Sequence, residues 1–67
     1  MVSIKTLTDR TVKAYEKATR ATDRAAVEWA CGAVTKAVKA DRAAAEAWEA
    51  YGRAKRTERE ARRATPR

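Results

Sequence analysis

The chain has no histidine, one cysteine, one proline and two glycines in 67 residues. Without histidine, the commonest acid–base group and metal ligand is missing, and a zinc site would have to be built from carboxylates alone. A single cysteine, Cys31, leaves no intrachain disulfide to close. Cys31 reads as a small buried hydrophobe at the edge of an apolar stripe, because a redox or nucleophilic role needs an activating partner that the sequence does not offer. There is no glycine-rich phosphate loop, and the acids stand among bases at the spacing of solvated i,i+4 pairs. These shortages argue against an enzyme and against any cofactor. No apolar run approaches the roughly 18 residues of a membrane span, and Met1–Lys5 lacks the basic-then-apolar layout of a signal peptide, so a cytoplasmic protein with no membrane partner is expected.

Large aliphatic side chains are also scarce. They are Val2, Ile4, Leu7, Val12, Val27, Val34 and Val38; most of the 45% hydrophobic content is alanine. That is about 10% of residues, below the level of about 20% that signals disorder when net charge is high. Helix propensity opposes disorder, since Ala, Glu, Lys and Arg dominate and Pro66 stands at the far end. A short helix-rich chain with neither disulfide nor metal, and little to bury, is expected to stabilise itself by association.

What the chain has in quantity is positive charge, +7 overall. From Arg53 to Arg67, seven Lys/Arg against Glu58 and Glu60 give +5 and leave +2 for the first 52 residues. Arg53, Lys55, Arg56, Arg59, Arg62 and Arg63 therefore form a basic tail suited to phosphates, although a solvated terminus has the same composition.

Val2, Ile4 and Thr6 alternate with Ser3, Lys5 and Leu7, which predicts a strand over residues 2–6. Thr6 or Thr8 then caps a first helix with a weak apolar face including Val12, Tyr15 and Ala18. Thr22 and Asp23 offer fresh capping chemistry, with no glycine or proline to force a turn. From Asp23 the stripe Val27, Ala30/Cys31, Val34, Ala37/Val38, Asp41, Ala44/Ala45, Trp48 and Gly52 keeps a 3.6 period, predicting one helix from about 23 to at least 52. Gly32 falls on the opposite face with Trp29, Lys36 and Lys39, at a tolerable cost of about 1 kcal/mol. Asp41 interrupts the stripe, dividing a domain over 1–41 from a projecting helical extension with basic tail over 42–67. The hexapeptide DRAAVE at 23–28 recurs as DRAAAE at 41–46, a weak repeat in an alanine-rich chain.

The segments Thr6-Leu7-Thr8-Asp9-x-x-Val12-x-x-Tyr15-Glu16-Lys17 and Thr22-Asp23-Arg24-Ala25-Ala26-Val27-x-x-Ala30 resemble the strand end, first helix and capped second helix of the ribbon-helix-helix family of dimeric DNA-binding repressors and antitoxins. The match covers about residues 2–38 and departs from the family in its short, glycine-free segment between helices. The resemblance implies a mainly α intertwined homodimer whose paired strands enter the major groove. It places Ser3, Lys5 and Thr6 toward bases and the Thr22–Asp23–Arg24 helix start near a phosphate, a role that helix N-termini fill on physical grounds.

Two functions therefore stand at this point. One is a small DNA-binding transcriptional regulator using the strand and the basic tail. The other is an all-α helical hairpin that forms a bundle, as a phage or plasmid accessory factor, and binds a protein partner through Trp48 and Tyr51 on the C-terminal helix, since tryptophan is enriched at binding hot spots. Trp29, off the stripe, is expected to pack against the first helix or a neighbouring protomer.

Overall fold

The computed structural model describes residues 3–65. Two helices, α1 (Ile4–Ala30) and α2 (Val34–Ala64), run antiparallel as a hairpin measuring 53 × 16 × 14 Å. There is no strand among the described residues.

The pairing follows from a spacing that persists along both helices. On α1, residues 4, 7, 11, 14, 18, 21, 25 and 28 step by three and four; on α2 and its N-cap, residues 33, 37, 40, 44, 47, 51, 54, 58 and 61 do the same. All of these are buried or half-buried. This is the heptad spacing of a coiled coil, whose average of 3.5 residues keeps one seam facing the partner helix. The seam is built mostly of alanine. Ala18 and Ala37 are 0% exposed, and Leu7, Ala25, Ala44 and Ala47 complete the buried set. An alanine contributes one methyl group, about 0.8 kcal/mol on burial, where leucine contributes about 1.5–3 kcal/mol. Small knobs compensate by letting the two backbones approach closely and gain dispersion contacts along the seam.

The N-terminus differs from the expected strand. Ser3 is an N-cap, extended at φ −73 and ψ 157, and its Oγ accepts the Thr6 backbone N–H at 3.1 Å. Residues from Ile4 onward are helical, while Val2 lies outside the described residues. Ile4 and Leu7 are the first two seam positions, and a pleated backbone would send them to opposite faces. With residues 4–6 in the helix, the ribbon and the intertwined dimer that depends on it have no strand to form them. The hairpin alternative fits the chain.

The turn also lies elsewhere than expected. Thr22 and Asp23 are in the interior of α1, and the helix predicted from 23 to 52 is broken at Cys31–Ala33. Gly32 has φ +75; its N–H donates to Trp29 O at 3.1 Å, and Ala33 N–H donates to Glu28 O at 3.1 Å. These are the two bonds of a Schellman cap, with glycine at the left-handed position. Gly32 is thus the residue that ends α1 and is not a tolerated guest inside a helix. Cys31, expected at the edge of the core, is exposed in this turn. α2 begins at Val34 with Ala33 as its N-cap and no side-chain cap bond, so no Ser, Thr, Asp or Asn marks its start. The Thr22 hydroxyl instead donates back to Ala18 O at 3.0 Å, the bond a threonine makes inside a helix and not at its start.

The extension past Asp41 does not project. It belongs to the same helix as residues 34–40 and returns along α1 far enough for Arg62 Nη2 to donate to Thr8 Oγ1 at 3.1 Å. The two related hexapeptides sit out of register: the third residue of one, Ala25, and the fourth of the other, Ala44, are buried, which makes the repeat compositional.

The seam and the turn each generate an expected outcome. Ala18→Leu has no space to enter and lowers stability by about 1–3 kcal/mol in chemical denaturation. The two glycines respond to alanine with opposite signs, although neither has a neighbouring atom within 4 Å of an added Cβ. Gly32→Ala destabilises by about 1–2 kcal/mol through its left-handed backbone, and Gly52→Ala, inside α2, stabilises by about 0.5–1 kcal/mol. Thermal melts on dilute protein check both signs.

Candidate functional site

On either side of the seam the hairpin presents a flank. Residues one and four positions after each α1 seam residue at 4, 11, 18 and 25 (5, 8, 12, 15, 19, 22, 26 and 29) face the same side as 34, 38, 41, 45, 48, 52, 55, 59 and 62 of α2, by the 100° step of the helix. Three hydrogen bonds between the helices lie along this flank. Trp29 Nε1 donates to Asp41 Oδ2 at 2.8 Å near the turn, Trp48 Nε1 donates to Thr22 Oγ1 at 2.8 Å in the middle, and Arg62 reaches Thr8 at the open end.

Between the second and third of these bonds, the rings of Tyr15, Trp48 and Tyr51 meet in a triangle with centroid separations of 5.7, 5.4 and 5.8 Å, all edge-to-face. This is the geometry aromatic rings prefer, with the positive edge of one on the negative face of another. Lys55 Nζ stands 5.7 Å from the Tyr51 ring centroid. The cluster remains open to solvent on its outer side, where Trp48 is 38% exposed.

Around the cluster, the apolar side chains are placed against the usual rule. The exposed large hydrophobics are Val12, Tyr15, Val27, Trp29, Val34, Val38 and Trp48. All but Val27 lie on this one flank. The seam has taken the alanines, and most of the larger apolar residues have been left outside it on a single face that runs from the turn to the aromatic cluster. On this flank Thr19, Thr22 and Asp41 separate the apolar side chains near the turn from those at the aromatic cluster.

The opposite flank is cationic. It carries Arg10, Lys13, Lys17, Arg20 and Arg24 from α1 and Lys36, Lys39 and Arg53 from α2, against Glu46 and Glu60. Shallow grooves between the helices on this side are lined by Lys17, Arg20, Arg24, Lys36 and Lys39, with Glu28 and Glu46, above Ala40, Ala43, Ala47 and Ala50.

The structure brings Trp48 and Tyr51 together as expected and adds Tyr15. It does not assemble the twelve residues expected to bind DNA. Ser3 is engaged as a helix cap, Thr6 shares a 2.9 Å hydroxyl contact with it, and Thr22 is bonded to Trp48. Lys5, Lys55, Arg59 and Arg62 fall on the aromatic side, Arg24 and Arg53 on the cationic side, and Asp23, Arg56 and Arg63 point outward between them. Arg24 does not stand at a helix N-terminus, because α1 runs through it. The missed cations, Arg10, Lys13, Lys17 and Arg20, carried a readable signal in their three-and-four spacing. Among the described residues no His/Cys/Asp/Glu group is arranged to hold a metal, and no helix is long and apolar enough to cross a membrane.

One titratable group is perturbed by the pairing of the helices. Glu58, on the seam, is held below its ordinary pKa of 4.5, first by the Thr11 hydroxyl and then by hydrogen bonding to Arg62, whose Nε lies 3.1 Å from Oε2. A lowered folded pKa means that the unfolded chain binds more protons in acid, so this contribution is complete above pH 4.5 and lost as pH falls through the folded value. The melting temperature is expected to fall on acidification below pH 4.5, with a shallower fall in Glu58→Gln; superimposable acid profiles for the two proteins would refute the assignment.

No protein-family profile, no curated protein and no solved structure matches this chain, so its functional reading rests on these two flanks alone.

Proposed function

We propose that the protein is a non-catalytic helical assembly module in which two copies pair through the aromatic flank to form a four-helix bundle. The observation that carries this reading is the segregation of six of the seven exposed large hydrophobics onto one face of the hairpin.

Area supports it. A compact monomer of 7.4 kDa has about 4,200 Å² of accessible surface. This hairpin has 5495 Å². The excess is on the order of the 800 Å² per partner that a standard interface takes, or more. Charge supports a second copy lying antiparallel. The open end of the flank carries Lys5, Lys55, Arg59 and Arg62, and Asp41 stands toward the turn. A parallel arrangement would stack the two cationic ends, whereas an antiparallel one separates them and sets each toward the other copy's Asp41. Tyr15, Trp48 and Tyr51 then lie in the central part of the interface, where anchoring aromatics contribute most.

Sedimentation equilibrium is expected to give twice the chain mass. Val38→Glu, at an exposed position outside the seam, is expected to weaken pairing by about tenfold to a hundredfold, or roughly 1.4–2.7 kcal/mol, while circular dichroism shows the helices retained. A chain that is monomeric at every concentration would overturn self-pairing and direct the same face to a foreign helix. A dimer indifferent to Val38→Glu and Val12→Glu alike would overturn the assignment of the face.

A further inference from the structure

We infer that the cationic flank binds duplex nucleic acid through its phosphate backbone, without reading sequence. This goes beyond the pairing proposed above and uses different residues.

The first ground is the regularity of the charge. Arg10, Lys13, Lys17, Arg20 and Arg24 step by three and four, and so keep one line along α1 for about 21 Å at 1.5 Å per residue. One strand of a duplex presents about six phosphates over that length. The continuous helix α1 holds these cations in a row, so little backbone order has to be created on binding.

The second ground is relief. The facing positions of α2 include Ala43 and Ala50, which floor the grooves over which Lys17, Arg20 and Arg24 extend, with Glu46 standing between them beside Lys17. Long cationic side chains on one helix beside short ones on the other leave a shallow trough that a phosphate backbone can approach. Lys36 and Lys39 extend the positive surface toward the turn.

The third ground discriminates among polyanions. Every aromatic ring of the chain, Tyr15, Trp29, Trp48 and Tyr51, lies on or beside the other flank, so this one has no platform for stacking unpaired bases. Its large apolar side chain is Val27 alone, near the turn, which gives a membrane nothing to take up beyond surface charge. Duplex, presenting regular phosphates and no exposed base faces, is the polyanion that fits.

Fluorescence anisotropy with a labelled mixed-sequence duplex tests the inference. With five phosphate contacts, affinity is expected to fall about 500-fold between 50 and 200 mM salt, and in the variant Arg10→Gln/Lys17→Gln/Arg24→Gln only about 12-fold. The control Arg42→Gln/Arg56→Gln/Arg63→Gln removes the same charge from the outer edge of α2 and is expected to keep the steep dependence. No binding at 50 mM salt, equal losses in the two triple variants, single strands bound as tightly as duplex, or phosphatidylserine vesicles bound more tightly than duplex would each overturn it. Repeating the titration on Val38→Glu separates loss of pairing from loss of binding, because the cationic flank is intact in that variant.

Discussion

Everything in this hairpin depends on two helices meeting along a seam of alanines. An alanine seam permits close approach but offers little shape to define where along its length the helices should stop, since one methyl knob resembles the next. Register has to come from elsewhere. The short turn at Cys31–Ala33 sets the offset of the helices, and Trp29 to Asp41, Trp48 to Thr22 and Arg62 to Thr8, all on one flank, lock the alignment. A slip by one heptad would break all three together. The division of labour is therefore clear: small residues allow contact, and polar tips of large residues on the flank decide its alignment.

That division explains why the larger apolar groups are outside. A leucine or valine in place of the fully buried Ala18 or Ala37 would push the backbones apart and disengage the indole N–H groups from their acceptors. Placed on the flank, the same groups add no core to a single hairpin. They give it instead a sided surface, apolar on one side and cationic on the other, with α1's outer edge acidic at Asp9, Glu16 and Asp23.

The helical character and the absence of an extended apolar run were legible in composition. The path of the chain was not. Ser3 to Leu7 alternate like a strand, yet five residues cannot separate a period of two from the opening of a heptad, and only the continuation through Thr11, Ala14 and Ala18 decides it. Thr22 and Asp23 have the chemistry of a helix start, but the hydroxyl of Thr22 is satisfied within α1 and by Trp48. The true turn was signalled by Gly32 alone, and its signal was masked because α2 starts without a capping side chain. Where alanine fills both seam and surface, hydrophobic periodicity follows the stripe with the larger side chains, and here that stripe lies on the solvent side.

The hairpin path also determines how the molecule responds to being pulled. Residues 3 and 65 belong to the same end, so tension applied between them does not stretch the helices along their length; it peels one from the other. The load falls on Arg62 and Thr8 first, passes to the aromatic triangle, then to Trp48 and Thr22, and reaches Trp29 and Asp41 last. Fasteners taken one at a time yield to a much smaller force than the same fasteners sheared together. A neighbour clamped across the aromatic flank changes that geometry, because it grips both helices at once and turns a zipper into a joint.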